Sequence, residues 1–159
     1  MPDATSYAST LYAHTATQNQ AAIVEALDAL ATLARQKRAS LAALPLDRLP
    51  ELLPSHHQAR ACVAVLLARL KADRTLALLP NIAIAYRRVL RRHDHPVFEV
   101  TLSESVEPDY FRSRFGQRSV IIERLDPKLG AGVRIVSPEG TYELSLDLLL
   151  KRVQETLAV

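Results

Sequence analysis

"YRRVLRRHDHPVFEVTL", Tyr86 to Leu102, changes character halfway along, and that change decides the fold. Before it, Ile82, Tyr86 and Val89 recur at helical spacing behind Pro80, a residue tolerated only in the first turn of a helix. "HDHP", His93 to Pro96, ends the helix, because a proline biases the residue before it, His95, towards extended backbone. "VFEVTL" then alternates between Pro96 and a Ser/Glu-rich stretch and reads as a strand. The spacing therefore predicts an α+β chain: an N-terminal antiparallel helical bundle over 1–95 and a small mixed domain over 96–159.

Working back from this point, the periodicity stays helical. Ala59, Cys62, Val63, Leu66 and Leu70 make one apolar stripe behind Ser55 and Gln58, which match a capping box. Pro45, Pro50 and Pro54 leave room for no more than a short turn between them. Ile23, Ala26, Leu27, Leu30 and Ala34 mark a long helix from about Gln18 to about Ala39, acidic first and closed by the basic "RQKR". An Ala-rich first helix, Ala4 to Thr17, carries Tyr7, Leu11 and His14 at helical spacing. Ala/Leu helices with short connections fit an antiparallel bundle.

Working forward, "PDYFRSRFG" holds a two-turn helix closed by Gly116, and "SVIIERL" is a β-branched second strand. "GVRIV" and "TYEL" flank "SPEG", a hairpin with its turn made by Pro138 and Gly140. Leu146, Leu149, Leu150, Val153 and Leu157 form a final helical stripe with Ser145 as its N-cap. All four glycines lie at or after residue 116. Gly130 and Gly132 sit where the hairpin begins, a place for φ > 0 or close backbone approach, so glycine usage follows the architecture.

Composition narrows the function classes. Aromatics make up 5% and Trp is absent, which weakens any stacking platform for bases. No apolar run approaches the roughly 20 residues of a membrane span, and the first 34 residues hold no Lys or Arg, so no targeting segment is expected. A single cysteine, Cys62, suits a reducing compartment and reads as a core residue. Residues 1–95 carry twelve basic against seven acidic side chains, and 96–159 eight against ten, which suggests two parts with different partners. Phosphate-binding glycine loops are absent, and neither a nucleophile with its base nor a convergent metal set stands out, so no catalytic residue, cofactor or metal is expected. The His93/His95 pair reads as solvated linker side chains, since metal binding there would need Cys62 or the His56-His57 pair to converge on it. Arg87, Arg88, Arg91 and Arg92 form a basic ridge at i, i+4 spacing, read as a solvated helix end or a protein contact.

Three stretches, taken together, carry a resemblance. "SYASTLY" is similar to an R-Y-A-x-A-L-Y opening through Tyr7, Ala8, Leu11 and Tyr12, with Ser6 in place of Arg. "ADRTLALLPNIAIAYRRVL" is similar to an N-G-R-L-x-x-L-P-x-I…Y-x-x-L junction and keeps Arg74, with one extra residue before Leu79, Pro80 and Ile82. "DPKLGAGVRIVSPEGTYELSLDLLLKRV" matches D-P-x-L-I-G-G-V and the helix after it through Asp126, Pro127, Leu129, Gly132, Val133, Ser145, Leu150 and Arg152. Ala131 and Glu143-Leu144 depart from that pattern. The order of parts and these motifs resemble the delta subunit of F-type ATP synthases, the oligomycin-sensitivity-conferring protein family, as a short and divergent member.

The resemblance implies a non-catalytic peripheral-stalk subunit of a proton-translocating complex. Its helical domain would bind N-terminal helices of the alpha subunits, with Tyr7, Ala8, Leu11 and Tyr12 as candidate contacts, and its mixed domain would hold the C-terminus of the b subunit. It implies residence in the bacterial cytoplasm, at the inner membrane only through the complex, with no cofactor and no nucleic acid. The E-type stalk subunit of vacuolar or archaeal ATPases also closes on a glycine-bearing hairpin, but it begins with a long charged helix that this proline-broken bundle lacks. From another class, a small basic nucleic-acid-binding protein would use the arginine ridge as a phosphate track and bind in a salt-dependent way.

Overall fold

The structure, a computed structural model, describes residues 2–36, 57–106, 110–145, 150–151 and 154–155, without the side chains of His57 and Gln58. Pro45, Pro50, Pro54, the Ser55 cap, His56 and most of the C-terminal stripe (Leu146, Leu149, Val153 and Leu157) lie outside the described residues. The class is α+β, and the chain divides into two compact units, Met1–His93 and Asp94–Val159.

Among the described residues the first unit holds four α-helices: α1 (Ala4–Ala13), α2 (Gln20–Gln36), α3 (His57–Ala72) and α4 (Leu79–Arg92). Asp3 starts α1 by accepting the Ser6 N–H at 2.8 Å and the Ser6 hydroxyl at 2.7 Å. The helix ends at His14, earlier than its composition predicts, and a 3-10 turn at Thr17–Asn19 leads into α2. All five apolar positions expected on α2 are buried, as are Ile82, Tyr86 and Val89 on α4. Each fully buried Leu or Ile contributes roughly 1.5–3 kcal/mol. Helices α1 and α2 both pack chiefly on α4, α2 also packs on α3, and α1 meets α3 at few places. An ion pair between Arg87 and Asp28 at 2.6 Å ties α4 to α2.

The second unit is a four-stranded sheet, in order β2-β1-β3-β4, made of β1 (Val97–Leu102), β2 (Val120–Leu125), β3 (Gly132–Ser137) and β4 (Gly140–Ser145). Strands β1 and β2 are parallel, joined through the short helix α5 (Tyr110–Phe115), and the remaining pairs are antiparallel. Register sets Phe98, Val100 and Leu102 on the same face as Val133, Ile135, Tyr142 and Leu144. Helix α5 lays Phe111 and Phe115 on this apolar face, and Phe98 stacks on Phe115 at 4.4 Å. The opposite face carries the ion pairs Arg124–Glu99 at 3.5 Å and Arg134–Glu143 at 2.9 Å.

One sequence expectation for the hairpin needs correction. The turn is made by Pro138 and Glu139, while Gly140 opens β4. Ser137 clasps it, its hydroxyl accepting the Glu139 and Gly140 N–H groups at 3.2 Å each. Gly132 is needed for closeness: a Cβ there would sit 2.4 Å from the Leu144 carbonyl oxygen and 2.6 Å from the Ser145 Cα. Ser145 is the buried last residue of β4 and pairs with Gly132, and its expected role as a helix cap falls on residues 146–149, outside the described residues.

Candidate functional site

The meagre contact between α1 and α3 leaves a cleft. Helix α1 with its C-cap contributes Ser6, Tyr7, Thr10, Leu11 and His14, and α3 contributes Ala61, Cys62, Val65, Leu66 and Arg69. Together with Pro2 they line a groove of about 630 Å³. The cause is local: Ala61, Cys62, Ser6 and Thr10 are too short to fill the space between two helix backbones that are both held from behind. Val65 stands 70% exposed on its wall, an apolar side chain left in water by the fold of its own unit.

A polar clasp closes one end. The Tyr7 hydroxyl donates to Asp73 at 2.6 Å, and the Arg69 Nε donates to the same carboxylate oxygen at 2.9 Å. Thr75 lies 3.5 Å from the Tyr7 oxygen. The Tyr7 hydrogen bond, helped by Arg69, holds the Asp73 carboxyl below its usual range. Beyond Asp73, Arg74 takes φ 55°, the left-handed conformation that ends α3, and the Thr75 N–H returns to the Leu70 carbonyl at 2.8 Å. At the other end the Cys62 thiol donates to the His14 carbonyl at 3.7 Å. Pairing Tyr7 with the end of α3 and His14 with its middle makes the two helices antiparallel.

The four sequence candidates on α1 separate here. Tyr7 and Leu11 line the groove while remaining mostly buried, so each belongs to the core and to the cleft. Ala8 is fully buried and contributes packing alone. Tyr12 turns elsewhere, its ring stacked on His93 at 4.4 Å and 16°. His93 is exposed as expected but engaged by that stacking, and the half-buried His95 sets its Nδ1 2.8 Å from the Arg118 carbonyl. Cys62 is half-buried on the groove wall, not in the core. The basic ridge loses Arg87 to Asp28, leaving Arg88, Arg91 and Arg92 exposed.

In the second unit the motif residues are structural. Asp126 accepts the Lys128 N–H at 3.0 Å, Pro127 begins a 3-10 turn, and Leu129 is buried at its end. Gly130 then takes φ 67°, and Val133 packs half-buried on the Val100 cluster. Among the described residues, no three His, Cys, Asp or Glu side chains gather as metal ligands would, and no helix is long and apolar enough to cross a membrane.

Val65, Ala61 and Arg69 on the groove wall, and Asp73 in the clasp at its end, are the residues that sequence reasoning passed over. A signal was present: Ala61 and Val65 continue an apolar line on the side of α3 that the main stripe leaves for solvent. Neither protein-family models nor curated proteins match the chain.

Proposed function

We propose that this chain is a non-catalytic peripheral-stalk subunit of the delta type, which joins the alpha subunits of an F-type ATP synthase head to the stalk built by the b subunit and resists rotor torque. The groove between α1 and α3 carries the reading. An apolar cleft on a helical bundle is a seat for one face of an amphipathic helix, anchored at i, i+3, i+4 and i+7. Tyr7 and Leu11, positions that carry the resemblance, lie in it. The second unit offers exposed apolar side chains of its own, Tyr142 and Leu144, for a stalk partner. In this role the complex holds the chain at the cytoplasmic face of a bacterial inner membrane.

The test is a titration of the full chain against a labelled peptide from the N-terminus of an alpha subunit, read by fluorescence anisotropy. Val65→Asn leaves the fold intact, since the side chain is exposed, but buries an amide without a partner in the complex. Such burial costs about 2 kcal/mol or more, hence about 30-fold in affinity. Equal affinity for both proteins, or no binding by either, refutes the proposal. The contact with the stalk is tested by co-purification of the full chain with the C-terminal segment of the b subunit, where failure to capture it refutes that contact.

A further inference from the structure

The two helices that form the groove are electrically one-sided. Residues 4–13 hold no charged side chain, and residues 57–72 hold Arg60, Arg69 and Lys71 with no Asp or Glu. Of these cations Arg69 is the one that lines the groove. Its Nε is taken by Asp73, yet the side chain remains 66% exposed, and the guanidinium carries further donors on its terminal nitrogens. Asp73 itself already accepts from Tyr7 and Arg69, and no acidic side chain lines the cleft among the described residues. The opposite lip is uncharged, made by Ser6 and Thr10.

We infer that the helix seated in this groove carries an acidic side chain beside its apolar stripe, placed to meet Arg69 at the end of the cleft nearest the N-terminus of α1. The inference rests on the groove being a helix-docking site and adds the polarity of its occupant. Helix α1 is ten residues long, so it can line about three turns of a partner, roughly 15 Å. Within that length a carboxylate at the Arg69 end fixes the direction in which the partner lies. A basic residue in its place meets a like charge, so the same contact selects against reversed or basic helices.

The experiment uses the full chain and two synthetic amphipathic helices with the same leucine stripe, one with Glu and one with Lys at the flanking position, titrated by fluorescence anisotropy. An exposed ion pair at a rim is worth about a two- to fivefold change in affinity, screened by salt. The Glu peptide is expected to bind tighter by that factor, with the preference lost in Arg69→Gln and in high salt and kept in Arg69→Lys. Equal binding of both peptides overturns the acidic-partner inference and leaves the groove reading standing. A preference that survives Arg69→Gln overturns the assignment to Arg69. If neither peptide binds, the groove is not a helix seat and the inference falls with it.

Discussion

Gly132→Ala tests how the second unit is closed. An alanine Cβ would lie 2.6 Å from the Ser145 Cα and 2.4 Å from the Leu144 carbonyl oxygen, both backbone atoms of the neighbouring strand. Carbon atoms pack at about 3.5–4.0 Å, so the strands must part by about 1 Å at this pair. A backbone hydrogen bond of about 2.9 Å stretched by that amount is no longer one. The variant loses about 1 kcal/mol of ladder bonding and retains overpacking strain of about 1–3 kcal/mol, so about 2–4 kcal/mol is the expected loss. Small units of this size carry only about 3–5 kcal/mol in total. Amide hydrogen exchange on the full chain is the assay: protection should fall across β3 and β4 while α2 and α4 keep theirs. A variant within about 0.5 kcal/mol of the parent, with the hairpin still protected, would refute the close-approach argument.

Other substitutions test other parts of the fold. Arg74→Gly removes a side chain from the left-handed position that ends α3 and should stabilise by about 1 kcal/mol, read as a raised denaturant midpoint. Tyr86 is fully buried, with its hydroxyl unpaired among the described residues, and burial pushes the phenol up to about 12. The Thr15 hydroxyl eases that shift only in part, since it donates to the Leu11 carbonyl at 2.6 Å. Tyr86→Phe should therefore be neutral or stabilising by about 1 kcal/mol, and a clear loss would reveal a partner for the hydroxyl. Asp73 has its folded pKa below the ordinary 3.8, so its stabilisation is complete above that value and is lost as pH falls through the folded pKa. Asp73→Asn should flatten stability against pH across the acid range below about pH 5, and parallel curves for the two proteins would remove the clasp from the account.

Periodicity was enough to place α2, α4 and β1, because their buried faces are unbroken runs of apolar residues at 3.6 or 2 spacing. It overextended α1, whose Ala, Ser and Thr residues lack a sharp stop signal until the backbone turns at His14. The hairpin was legible as a hairpin but not in its turn residues, since Pro138, Glu139 and Gly140 all suit turns and strand register decided among them. The groove was half legible. Tyr7 and Leu11 stood out by pattern, whereas Val65, Arg69 and Asp73 become a site only when tertiary packing holds α1 and α3 apart.

The strand order β2-β1-β3-β4 has a consequence for synthesis as well as for architecture. Strand β1 is the first strand to leave the ribosome, yet in the finished sheet it lies inside, between two neighbours that are made after it. Its two edges are covered at different times, one when β2 arrives and the other only when the β3–β4 hairpin is complete. A message truncated after residue 131 would release a chain whose Glu99–Leu102 edge has lost the strand that covers it. Such an edge is a template for pairing with any other extended chain.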